Sequence, residues 1–175
     1  MDVRGIRRRC DARLASLVLP QPFAIAAFCE QLAAQRGRPI HLRAMPLTGI
    51  AYGICLLSHD ADHILYERDT SPFHQQHIIL HEVGHLICGH RATTTETIVD
   101  PAGLFASMDL GRLQAVLRRA SYSASDEREA ELLATLIEQR ISATAIQQAT
   151  PLADRLAASF DDGQPQLAAE REDRT

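Results

Sequence analysis

His81-Glu82-Val83-Gly84-His85 sets two imidazoles four residues apart with a carboxylate between them. On a helix, residues i and i+4 lie one turn apart on the same face, so both rings can ligate one metal ion. Glu82 projects to one side of that pair. There it can take a proton from a water at the ion without filling a coordination position. A histidine pair with a neighbouring base supplies the parts of a hydrolase that uses Zn2+, with Glu82 as the catalytic general base. The plain alternative is a buried helix that carries its histidines incidentally.

The flanking residues favour the metal reading. Ser71-Pro72 reads as an N-cap followed by proline at the first helical position, and Gly89 reads as the stop about five turns later. Phe73, Leu80, Val83 and Ile87 recur at helical spacing, with Ile79 and Leu86 widening the stripe, so His81 and His85 border a core face. Gly84 costs about 1 kcal/mol relative to alanine inside a helix, which implies that another backbone or a ligand packs close to it.

A catalytic zinc site takes three protein ligands and keeps one position open, so a third residue must come from elsewhere. A helix expected over Asp126 to about Arg140 offers it. Ala130, Leu133, Ala134, Ile137 and Ile141 define its core side, and Glu129 borders that stripe. A carboxylate held there needs a partner, and ligation would satisfy it. Glu129 is therefore the expected third metal ligand with His81 and His85. Glu127, at the other margin, Glu131, which points further away, Asp126, which can serve as an N-cap, and His74 or His77 are the alternatives. Cys88 shares the azimuth of the histidine pair, but one straight helix rarely gives three ligands to a tetrahedral ion, so packing is its expected role.

The rest of the chain must build a frame for these groups. At 175 residues it suits one ordinary domain, read here as 1–160, followed by a disordered tail over 161–175 that is rich in polar and charged residues. Helices are expected over Val3 to Val18 and Phe23 to Gln35. Three β-compatible segments follow, Ile40 to Met45, Ile50 to Leu57 and Ile64 to Glu67, separated by turn-forming residues. They predict a small, mainly antiparallel sheet beside the cleft, with an edge on which an extended peptide can add a strand. Beyond Gly89 come a polar connection through Thr93 to Gly103, part of which is expected to form a lid, a helical segment near Leu110 to Arg119, and a last short helix after Pro151. The fold class is α+β, the sheet packing against a helical bundle that carries the HExxH helix.

Composition excludes several function classes. No apolar run approaches the length of a membrane span, and the charged residues scattered through 1–20 interrupt any signal-peptide core, so a cytoplasmic location is expected. The four cysteines are widely spaced, with no C-x-x-C pair, as suits free thiols in a reducing compartment. A net charge of −4 argues against direct nucleic-acid binding, despite the local clusters Arg7 to Arg9 and Arg118-Arg119.

Taken with Glu129-Ala130-Glu131-Leu132-Leu133-Ala134, the motif at 81–85 resembles the ImmA/IrrE family of metallopeptidases, whose downstream helix carries E-A-x-x-F-A. The likeness covers roughly Ile50 to Ile141, with Leu133 standing where the family has an aromatic residue. It implies a compact zincin-like domain with His81, His85 and Glu129 as zinc ligands and Glu82 as base. It further implies a zinc endopeptidase whose partner and substrate is a helix-turn-helix DNA-binding repressor, in a regulatory or stress response. A reading from a different class is a zinc-containing sensor or interaction module that binds such a regulator without cutting it. Tyr66, Tyr122, His59 and His90 are available by type as donors to an oxyanion.

Overall fold

A computed structural model describes residues 3–47, 52–90 and 122–161, with 150–161 as backbone only. The expected lid and connection after Thr93, the helical segment near 110–119 and the tail beyond Asp161 lie outside the described residues. The architecture is α+β, with four helices and one three-stranded sheet among the described residues. The chain forms two compact units, Met1–Ile141 and Ser142–Thr175. The first holds the sheet and the motif at 81–85.

Helix α1 (Val3–Ser16) buries Gly5, Ile6, Cys10 and Leu14, and α2 (Ile25–Arg36) buries Phe28, Cys29 and Leu32, both at helical spacing. Gly37, at φ 64°, ends α2 and releases the chain into β1 (Ile40–Met45). Strand β2 (Gly53–Leu57) turns through Ser58 to Ala61 into β3 (Asp62–Glu67). The strand order is β1-β3-β2, with β2 antiparallel and β1 parallel to β3. This corrects the mainly antiparallel sheet expected from the sequence. The short turn does make β2 and β3 a hairpin, but β3 then takes the central place, and a strand entering between two oppositely directed neighbours must run parallel to one of them. Ile64 and Leu65, on opposite faces of β3 and both 0% exposed, fit the central place, where a strand is covered on both faces.

Helix α3 (Pro72–Cys88) begins as the sequence predicts. The Ser71 hydroxyl accepts the His74 N–H and Pro72 occupies the first turn. Gly89 ends it at φ 68°, a left-handed conformation in which a side chain would be strained. Val83 and Leu80 lie in the core, but Phe73, expected on the same stripe, is 71% exposed. Asp62, buried at the start of β3, receives Arg36 and Arg38, and Arg36 also donates to the Leu86 carbonyl. One buried carboxylate thereby ties α2 and β3 to the last turn of α3.

Helix α4 (Ala124–Asp161) is capped by Ser123, whose hydroxyl accepts the Asp126 N–H. Asp126 is thus in the first turn and is not the cap. Pro151, expected to open a separate helix, lies within this one, since proline removes one amide donor without forbidding helix beyond it. Ala130, Leu133, Ala134 and Ile137 are fully buried, as their spacing predicts. A Cβ on Gly84 would stand 3.0 Å from the Ala130 carbonyl oxygen and 3.2 Å from its Cα. The backbone that Gly84 must accommodate is therefore that of α4, and this close approach aligns the two helices that carry the site.

Candidate metal centre

His81 and His85 project from α3 with their Nε2 atoms 3.2 Å apart. Glu127, in the first turn of α4, brings Oε2 to 3.2 Å from His81 Nε2 and 3.6 Å from His85 Nε2. Zinc bonds of about 2.0–2.1 Å at tetrahedral angles separate neighbouring ligand atoms by about 3.3 Å. The three atoms are spaced as one such ion requires, and their chemistry, two imidazoles and a carboxylate, suits it.

The groups behind these candidate ligands orient them. Glu131 Oε2 lies 3.1 Å from His81 Nδ1, where it would accept the N–H of a metal-ligating imidazole and leave Nε2 its lone pair. His85 is 1% exposed, and burial, with His81 and His90 nearby, depresses its pKa to about 3. It is a neutral imidazole at neutral pH, the form that ligates. The Tyr122 ring stacks on His85 at 3.6 Å with an interplanar angle of 15°, closing one side of the site.

Glu82 is 6% exposed and faces β2, where the Cys55 N–H donates to its carboxylate. Its Oε2 has no hydrogen-bond partner among the described residues. Burial, then the charge of Glu127, raise its pKa to about 8 against that one amide donor. Gly53 allows the approach, because a Cβ there would lie 2.5 Å from Ile78 Cγ2 and 2.9 Å from Glu82 Oε1. A cleft of ≈ 410 Å³ opens over the ligands and Glu82, walled by Tyr52, Ile54 and Cys55 on one side and by Tyr122, Glu127 and Glu131 on the other.

The structure does not bring Glu129 to the histidine pair. Arg9 Nη2 reaches Glu129 Oε2 at 2.7 Å and Arg13 Nη1 reaches Oε1 at 2.5 Å, and this pairing lowers its pKa. Residues 127 and 129 are two positions apart on a helix and so point in nearly opposite directions. The contact between Gly84 and Ala130 turns the 127 side to α3. A carboxylate bordering the core did need a partner, as the sequence suggests, but α1 supplies it. Cys88 and His90 lie near Glu129 in a second group of ligand type. Both Glu129 oxygens there already take guanidinium groups, which disfavours a cation. Burial raises the Cys88 thiol pKa to about 12, in keeping with packing.

The other candidates fall into place around the cleft. His77 stands between Glu138, at 3.1 Å, and Glu131, at 3.4 Å, and His74 Nδ1 meets the Thr70 hydroxyl at 2.9 Å. Of the possible oxyanion donors, Tyr122 lines the cleft, while His90 sits behind His85. His59 is in the β2–β3 turn, and Tyr66 packs against the core. A signal for Glu127 was present in the sequence. Glu127, Glu131 and Glu138 recur at helical spacing, as do His77 and His81, and the structure pairs these two stripes. No family model, curated protein or solved structure matches the chain.

Proposed function

We propose that the protein is a zinc-dependent endopeptidase in which His81, His85 and Glu127 hold the ion and Glu82 is the general base. The observation that carries this reading is the convergence of three ligand-type atoms within 3.2–3.6 Å of one another beside a buried carboxylate, one of whose oxygens has no partner among the described residues. Bound there, zinc supplies a Lewis acid that polarises a carbonyl and brings the pKa of water toward neutrality. The protein's own groups do the rest. Glu82, oriented by the Cys55 N–H and favoured in its ionised form by a cation beside it, takes a proton from the attacking water. As the C–N bond breaks, it returns that proton to the leaving amine. Tyr122 lines the cleft, and burial raises its pKa, so it keeps a hydroxyl proton that could be donated to the carbonyl oxygen. Strand β2, which among the described residues pairs only with β3, offers its outer edge to an extended peptide.

The proposed substrate is a helix-turn-helix repressor, as the ImmA/IrrE likeness implies. A zinc-containing binding module would have no use for a buried carboxylate beside an open cleft with one oxygen unpartnered among the described residues, so hydrolysis is favoured over binding alone. Glu82→Gln is expected to retain a full equivalent of zinc and to cut at least about 100-fold more slowly. Comparing new protein termini in cells carrying the wild type and this variant reads activity and substrate together. Identical termini in the two would reject the peptidase reading.

A further inference from the structure

We infer that His90 is a positioning residue that decides which ring nitrogen of His85 can reach the metal. The inference rests on the proposed metal site and deepens it. Gly89 folds the chain back at the end of α3, with the His90 N–H donating to the His85 carbonyl at 3.0 Å. That turn brings the two rings edge to face, with their Nδ1 atoms 3.0 Å apart. The His85 side chain is 1% exposed and that of His90 7%, so solvent scarcely competes for this contact.

A neutral imidazole carries a single N–H, and two nitrogens at this distance share one proton, one donating and the other accepting. His85 offers a lone pair at Nε2 only if its proton is on Nδ1. His90 must then accept at Nδ1 and keep its own proton on Nε2. His90 Nε2 faces two carboxylates, Asp126 Oδ1 at 3.6 Å and Glu129 Oε2 at 3.8 Å, which favour an N–H there. Glu127 Oε2, 3.6 Å from His85 Nε2, favours an N–H there in the same way until a cation takes up its charge. With the ion bound, the opposite arrangement would aim a lone pair of His90 at Asp126 and Glu129 and an N–H of His85 at the ion. Asp126 and Glu129 therefore bias His90, and His90 biases His85. Glu129 contributes from behind the site, two links away from the ion it was expected to bind.

The test measures zinc affinity by chelator competition, and the visible absorption of the cobalt-loaded protein, in full-length wild type, His81→Ala, His90→Ala and His90→Asn, each normalised to folded protein. Loss of such an outer partner typically weakens metal binding about 10–100-fold, and that loss is expected for His90→Ala. Asn offers a carboxamide oxygen that can accept the same N–H, so His90→Asn should recover most of the affinity and the wild-type cobalt spectrum. If His81→Ala abolishes binding while His90→Ala binds as tightly as wild type, the role of His90 is refuted and the metal site stands. Equal weakness of His90→Ala and His90→Asn would assign the loss to packing and also overturn it. A wild type that takes up neither metal would remove the site and the inference together.

Discussion

Glu127 and Glu129 occupy one helix two residues apart, yet one turns to a pair of histidines and the other to a pair of arginines. Their substitutions should therefore separate cleanly. Glu127→Gln removes the charge of a proposed ligand and is expected to weaken zinc binding by more than the ~10–100-fold typical of outer partners, whereas Glu129→Gln should retain zinc to within that range. Titration with a competing chelator checks both, and the reverse order would restore Glu129 as the ligand. Glu129 carries a second consequence. Arg9 and Arg13 hold its folded pKa below the ordinary carboxylate value of 4.5, so the unfolded chain binds the proton more readily. The stability it contributes is fully present above about pH 4.5 and is lost as pH falls through the lower folded value. Acid denaturation of the metal-free protein should accordingly be less steep in Glu129→Gln, and unchanged steepness would show that the ion pairs add nothing.

Two glycines set how closely the elements approach. Alanine normally stabilises a helix interior by up to about 1 kcal/mol over glycine. At residue 84 the new methyl would press on the Ala130 backbone, 3.0–3.2 Å away, and neither helix can yield without moving the site. Overpacking of this kind costs about 1–3 kcal/mol, so Gly84→Ala is expected to be net destabilising by roughly 1 kcal/mol in denaturant unfolding and to loosen zinc binding. A gain in stability with unaltered zinc affinity would show that the interface has slack. Gly53 plays the corresponding part between β2 and Glu82. That a second backbone lies over Gly84 was readable from the cost of a glycine at that position. Which backbone it is, and which face of α4 it presents, depended on the contact itself.

At the scale of the whole molecule, the proposed site joins distant parts of one chain. A ligand that binds only the native state stabilises it by RT ln(1 + [L]/Kd), about 4 kcal/mol at a thousandfold excess over Kd. For a chain of this size that corresponds to a Tm shift of roughly 10 °C, so chelation should lower the melting temperature by about that amount. No shift would argue against a native metal. No described helix is long and apolar enough to cross a membrane. Local features were legible from the order of residues alone. His81, Glu82 and His85, the Ser71 cap, the Gly89 stop and the buried face of α4 follow from spacing and side-chain chemistry within a few turns of chain. Tertiary structure decided what no local rule contains. It put β3 at the centre of a mixed sheet, gave Glu129 to Arg9 and Arg13, more than a hundred residues away, and turned Glu127 toward the histidines. Helical periodicity specifies that a carboxylate borders a core, but the partner that meets it is chosen by how separate helices pack.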